Sequence, residues 1–180
     1  MIAKPLPPLE ELKEFLHYNP DTGIFTWKKQ VTNSIKVGQK AGRIIGKNSM
    51  GYGGYIIIKF NYREYYAHRL GYYMYHGIDP LEKFIDHIDG DKINNKINNL
   101  RLATKSQNNM NRSILGSNNN SGYTGVGWNK KDKKWSARIT IDGVRKFLGY
   151  FINIEDAIKA RKEGEIKYFG EFRGRINKWI

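Results

Sequence analysis

The sequence predicts an α+β chain built as two small units, and three observations carry that reading. Short strand-like runs alternate with short helical ones, and no single pattern dominates. A stretch of small and polar residues, Gly116-Ser117-Asn118-Asn119-Asn120-Ser121-Gly122, then interrupts the alternation and reads as a linker. After it the pattern becomes three β-rich runs followed by one helix. The 180 residues suffice for two small cores. An apolar fraction of 39%, with 12 Tyr, 8 Phe and 4 Trp, is a folding composition rather than a disordered one.

In order along the chain, Pro8 suits the first position of a helix in which Leu9, Leu12, Phe15 and Leu16 recur at helical spacing. That places His17 at the helix end, where it would favour the dipole. Asn19-Pro20-Asp21-Thr22-Gly23 is a turn and Ile24–Trp27 a strand. Residues 30–53 read as loops and short strands. Tyr55–Phe60 is the clearest strand of the first half, and Asn61-Tyr62 turns it back into Arg63–Ala67. A helix over His68–His76 closes at Gly77, and strands are expected at Phe84–Ile88 and Leu100–Thr104. Thr104-Lys105-Ser106-Gln107 fits a capping box and starts a short helix. The organisation expected is 1–53 as an N-terminal region, 54–112 as a core, 113–121 as linker and 122–176 as a second domain.

Beyond the linker, strands are expected at Tyr123–Trp128, Trp135–Ile141 and Lys146–Phe151, with turns at 130–134 and at Asp142-Gly143. Asn153 caps a helix that carries Glu155 and Asp156 in its first turn. Ala157, Ile158, Ala160 and Ile166 form the face expected to pack on the sheet. Trp135 and Phe147 are assigned to the core.

Charge narrows the partners. The formal net charge is +14, and it is uneven: residues 1–100 hold 14 Lys and Arg against 10 Asp and Glu, whereas 101–180 hold 17 against 7. Such a concentration points to a polyanion. No helix pairs a basic face with a strongly apolar one, so a membrane surface is disfavoured as partner. No run is long enough to span a membrane, and the N-terminus does not read as a signal peptide, so a cytoplasmic location is expected. The absence of Cys excludes disulfides and thiolate metal sites, and the four His are scattered. Any metal should therefore sit on oxygen ligands, as a hard cation such as magnesium does.

The chemistry concentrates in Asp86-His87-Ile88-Asp89-Gly90-Asp91, Asn98-Asn99-Leu100-Arg101 and Gln107-Asn108. Hydrolysis of a phosphodiester needs an activated water, a base, and positive charge on the phosphoryl oxygens. One His and one oxygen-bound metal can supply these. Asp86 and His87 adjoin in a strand, so their side chains should point to opposite faces. These segments, together with Ala67-His68-Arg69-Leu70 ahead of them, resemble the HNH endonuclease family, most closely its phage and intron-encoded homing branch. The resemblance implies a ββα-metal nuclease domain with His87 as general base and Asn99 bracing the loop and orienting His87. It implies that Asp86 and Asn108 hold one divalent ion, magnesium with manganese able to substitute, and that cleavage leaves 3′-hydroxyl and 5′-phosphate ends. Asp89 and Asp91 lie close enough to tune that site, and Arg69 could clamp a phosphate.

Ser121–Val126, Lys134–Ile139, Phe147–Phe151 and Glu155-Asp156-Ala157 resemble the APETALA2-type domain of plant ethylene-response factors. In that family a three-stranded sheet enters the major groove with a helix behind it. The positions implied for DNA contact are Trp128, Lys130, Arg138, Arg145 and Lys146, while Gly127 stands where plant members carry an Arg. The function expected is a DNA endonuclease of homing or phage-encoded type. It would act on double-stranded DNA as a monomer with no small-molecule cofactor, inside a host cell. The alternative is a non-catalytic DNA-binding regulator.

Overall fold

The computed structural model describes residues 5–46, 54–110 and 119–173. The chain divides into two compact units, Met1–Ala103 and Thr104–Ile180. The division falls ahead of the expected linker, most of which lies outside the described residues. No described helix is long and apolar enough to cross a membrane.

Unit 1 opens with α1 (Leu9–Phe15), β1 (Leu16–Asn19) and β2 (Ile24–Trp27). Leu16 and His17 therefore leave the helix that the spacing predicts and enter a strand, with His17 opposite Thr26. Tertiary packing decides this: Leu16 and Tyr18 alternate inward with Phe25 and Trp27 to form one core, and burial of that size outweighs a terminal turn of helix. The 19–23 turn forms as expected. The Gly23 N–H donates to the Asn19 carbonyl at 2.8 Å, and Asn19 Oδ1 accepts from Asp21 and Thr22. β3 (Lys40–Ala41) completes the first sheet in the order β1-β2-β3.

A second antiparallel sheet joins β4 (Arg43–Ile45), β5 (Tyr55–Phe60) and β6 (Arg63–Tyr66). Its Asn61-Tyr62 turn has φ of 47° and 63°, the paired left-handed geometry of a two-residue hairpin. α2 (Ala67–His76) follows directly and ends on Gly77 at φ 71°, a left-handed cap that glycine accepts without a Cβ clash. Leu70 of α2 joins Ile58, Phe60 and the first hairpin in the core. β7 (Phe84–His87) and β8 (Leu100–Ala103) make a two-stranded antiparallel ribbon, with a 3-10 turn at Ile97–Asn99 leading into β8.

Unit 2 begins with α3 (Lys105–Met110). Its capping box is formed: Gln107 Oε1 accepts from the Thr104 N–H at 2.8 Å, and Thr104 Oγ1 from the Gln107 N–H at 3.2 Å. β9 (Val126–Asn129), β10 (Lys134–Ile141) and β11 (Val144–Phe151) form an antiparallel sheet in the order β11-β10-β9. α4 (Ile154–Phe169) packs on it through Ala157, with Val126, Ala137, Trp135, Leu148 and Phe151 in the same cluster. Asn153 takes the N-cap position, but its side chain makes no cap hydrogen bond. The helix face differs from the expectation. Ile166 is 58% exposed, while Arg161 and Glu165 are buried and joined at 2.8 Å. Arg161 also donates to the Arg138 carbonyl at 2.5 Å, so the helix holds the sheet by a polar tie as well as by apolar contact. Burial raises the Glu165 carboxyl, against the lowering effect of Arg161.

Candidate active site and candidate DNA surface

The unit 1 site is built where the β7–β8 ribbon meets the loop joining its strands. The ribbon register opposes Asp86 to Arg101 and His87 to Leu100, so Asp86 and His87 lie on opposite faces, as strand geometry requires. Asp86 is buried, and Arg101 donates to its Oδ2 from Nε at 2.9 Å and from a terminal nitrogen at 2.8 Å. His87 is the last residue of its strand and is also buried. Its Nε2 lies 3.2 Å from Asn95 Oδ1. The His68 ring meets the His87 ring edge-on at 5.0 Å, with Tyr55 against both.

Burial lowers the His87 pKa from its ordinary value; the Asn95 hydrogen bond and the charges of Asp89, Asp86 and Asp91 act in the opposite direction. His68 is driven further down by its own burial and by His87 and Arg69. Both imidazoles are therefore neutral at pH 7, the state a proton-accepting base requires.

The loop holds itself together. Asn99 Nδ2 donates to Asp89 Oδ1 at 2.9 Å and to the Asn94 carbonyl at 2.8 Å, while its Oδ1 accepts from the Asp89 N–H at 3.0 Å. Asn94 reaches Asp89 Oδ2 at 2.6 Å. Burial alone would raise the Asp89 pKa, but these donors and the Asp91 N–H outweigh it and hold the carboxylate below its usual value. Asn99 thus braces the loop, but the side chain that meets His87 is Asn95. Asp91 works within the same turn, accepting from the Ile93 N–H.

The loop is also pinned to the first hairpin. The Tyr18 hydroxyl donates to the Asn95 carbonyl at 2.7 Å, and the Ile97 N–H to the Pro20 carbonyl at 2.9 Å. At Gly23, φ is +71° and a Cβ would lie 2.4 Å from the Asn95 carbonyl carbon. Only glycine allows that approach.

Asn108 lies on α3, which falls in unit 2. Asp86, His87 and Asn99 are therefore brought together within unit 1, and Asn108 belongs to a separate unit. Among the described residues no group of three or more His, Asp or Glu gathers as a metal cage. Arg69, expected to reach DNA, instead donates to the Leu81 and Lys83 carbonyls at 2.8 and 3.0 Å, with Asp79 at 3.7 Å. Its guanidinium is committed to the turn that leads into β7.

In unit 2 the sheet separates the expected contact residues into two groups. Arg138 pairs with Phe147 and Thr140 with Arg145, on the face turned away from the buried Ile139 and from α4. Tyr150 lies on that outer face too, and its ring meets Phe147 at 4.8 Å. Phe147, assigned to the core from the sequence, is 55% exposed. The register shift between Ala137 and Arg138 alters the β11 alternation that leads to the core assignment. Lys146 opposes Ile139, and its Nζ sits 4.7 Å over the Tyr168 ring of α4. Trp128 opposes the partly buried Trp135, at 5.2 Å between rings. These two residues therefore stand on the helix side, while Lys130 is exposed in the β9–β10 turn.

Sequence reasoning missed three residues here. Asn95 reads as one more turn former, Arg101 as part of a motif without a task, and His68 as a residue of the segment ahead of the motif. The spacing of Ala67-His68-Arg69-Leu70 ahead of Asp86 was the available signal. The pairing of Asn95 with His87 had none, because it depends on the folded loop.

Comparison with known proteins finds similarity over part of the chain. Residues 65–110 match the family model described as HNH endonuclease. Protein 3.8 of Escherichia phage T7 is 39% identical over 64 residues, 36% of this chain and 52% of that protein. A protein of Acanthamoeba polyphaga mimivirus named as an uncharacterized HNH endonuclease is 31% identical over 93 residues, 52% of this chain and 46% of its own length. The chain spans about half the length of the curated relatives it matches. No solved structure matches.

Proposed function

We propose that the chain is a metal-dependent DNA endonuclease in which His87 activates water and the outer face of the unit 2 sheet binds duplex DNA. The observation that carries the reading is His87 itself: a buried, neutral imidazole next to the buried carboxylate of Asp86, inside the stretch that matches HNH endonucleases.

In the chemistry proposed, His87 removes a proton from water as the water oxygen attacks phosphorus. The bond from phosphorus to the 3′ oxygen breaks and that oxygen takes up a proton from solvent, leaving a 3′-hydroxyl and a 5′-phosphate. Asp86 and Asn108 offer the oxygen donors that suit magnesium or manganese. Asp86 is already paired with a cationic group, the Arg101 guanidinium. A divalent ion held there would supply positive charge to the phosphoryl and leaving oxygens.

Arg138 and Arg145, with Thr140, Phe147 and Tyr150, give the outer sheet face charge, hydrogen-bonding groups and aromatic surface. That is the composition by which a β-sheet reads a major groove, and it supports an APETALA2-type role for unit 2. The exposed Lys130 and the helix-side Lys146 and Trp128 would contribute from the edges. Acting as a monomer on double-stranded DNA in a host cytoplasm, the protein, with one catalytic centre per chain, would nick a single strand. Relatives in a phage and a giant virus fit a mobile, homing-type gene.

The test is cleavage of supercoiled plasmid with magnesium, comparing the parent with His87→Ala and Asp86→Ala. The expected result is nicked circle from the parent and a loss of about 10²–10⁴-fold in the His87 variant, with DNA binding retained. A parent that binds DNA yet cuts with no divalent ion would leave a non-catalytic DNA-binding protein.

A further inference from the structure

We infer that Asn95 is the positioning residue that sets the tautomer and pose of His87, a role that rests on the nuclease reading above. A neutral imidazole has one N–H and one lone pair, and the partner of one nitrogen decides where each resides. Asn95 Oδ1, 3.2 Å from His87 Nε2, can only accept. The proton is therefore held on Nε2 and the lone pair on Nδ1. Asn99 is directed elsewhere: both atoms of its amide are engaged by Asp89 and by the Asn94 carbonyl.

Asn95 is 1% exposed, and its Nδ2 is buried with no hydrogen-bond partner. An unmet buried donor costs about 1–3 kcal/mol. A side chain of similar size without the amide would remove that unmet donor but would leave the buried His87 Nε2–H without its acceptor. What the amide provides is the oxygen that faces His87. Its backbone is fixed independently, by the Tyr18 hydroxyl on its carbonyl and by Gly23 packed against it. The acceptor is thus set by the core of unit 1 and does not depend on the imidazole it orients. His68 and Tyr55 close in on His87 with their rings, which limits its rotation.

The experiment compares the full-length parent with Asn95→Asp, which keeps an acceptor, and Asn95→Leu, which removes it at similar volume. Imidazole ¹⁵N shifts report the His87 tautomer, and plasmid nicking reports kcat and KM separately. The parent and Asn95→Asp should show the Nε2–H tautomer, while Asn95→Leu should show a mixture of tautomers. Asn95→Leu should lose about 100-fold in kcat with KM unchanged within twofold. Asn95→Asp should recover most of the rate. Retention of the Nε2–H tautomer and of the parent rate in Asn95→Leu would overturn the assignment. If the parent itself does not nick DNA, the nuclease reading fails, while the ¹⁵N shifts still decide the role of Asn95.

Discussion

The candidate functional residues of the two units are placed in opposite ways. In unit 1, His68, Asp86, His87, Asn95 and Asn99 are all less than a tenth exposed. In unit 2, Arg138, Arg145, Phe147 and Tyr150 stand in solvent on one sheet face. A buried polar group must find a partner in the protein or carry an uncompensated desolvation cost. Unit 1 meets that requirement with a dense local network and leaves only a few atoms unmatched, among them His68 Nδ1 and Asn95 Nδ2. The exposed groups of unit 2 keep their water until a partner displaces it. The first arrangement suits chemistry that needs one geometry, and the second suits recognition of a surface that varies along its length.

The contrast predicts that equivalent truncations act on different quantities. The largest effect on stability is expected at Arg101. Arg101→Met withdraws the guanidinium from a buried carboxylate and should destabilise unit 1 by about 3–5 kcal/mol, read by chemical denaturation followed through unit 1 probes. A change under about 1 kcal/mol would mean that Asp86 is far better solvated than its burial indicates.

A smaller effect is expected from pH. His68 has a folded pKa well below its ordinary value of 6.5. As pH falls below 6.5, the unfolded chain binds a proton that the folded protein refuses, so stability drops. It continues to drop until the pH reaches the lowered folded value. The slope should approach about 1.4 kcal/mol per pH unit for each such histidine. His68→Phe keeps a ring against Tyr66 and His87 and should flatten the curve below the ordinary histidine value of 6.5. An unchanged curve would show that His68 is not held neutral.

The smallest effect on stability is expected on the sheet face. Arg138→Ala with Arg145→Ala should move unfolding by no more than about 0.5 kcal/mol per site. The same pair should lower the salt dependence of duplex binding by about 0.9 for each phosphate that is no longer neutralised, measured as log affinity against log salt. A fall in stability with unchanged salt dependence would reverse the roles given to the two units.

Much of the fold was legible in short patterns. The Asn19–Gly23 turn, the Tyr55–Tyr66 hairpin, the Gly77 helix stop and the Thr104–Gln107 capping box all form where local chemistry puts them. Each depends on neighbours in sequence, such as a left-handed glycine or a side chain that reaches its own backbone. Where local patterns misled, the competing force came from distant residues. Leu16 and His17 join a strand because Phe25 and Trp27 lie opposite. Phe147 faces outward because a register shift sets its side of the sheet. Ile166 is exposed because Arg161 and Glu165 take the inner face of α4.

For the candidate site, the sequence alone determined the segment. Asp86-His87 with Asn99 marks it, and the HNH endonuclease match over residues 65–110 covers it. The tertiary structure decided which neighbours act on His87. Asn95 is eight residues away along a loop, His68 nineteen residues upstream on a helix, and Tyr18 on the first hairpin. Spacing cannot encode those contacts, because they exist only when the loop is pinned to the hairpin and the ribbon lies against α2. A motif records which chemical groups are present, and packing determines the direction each of them faces.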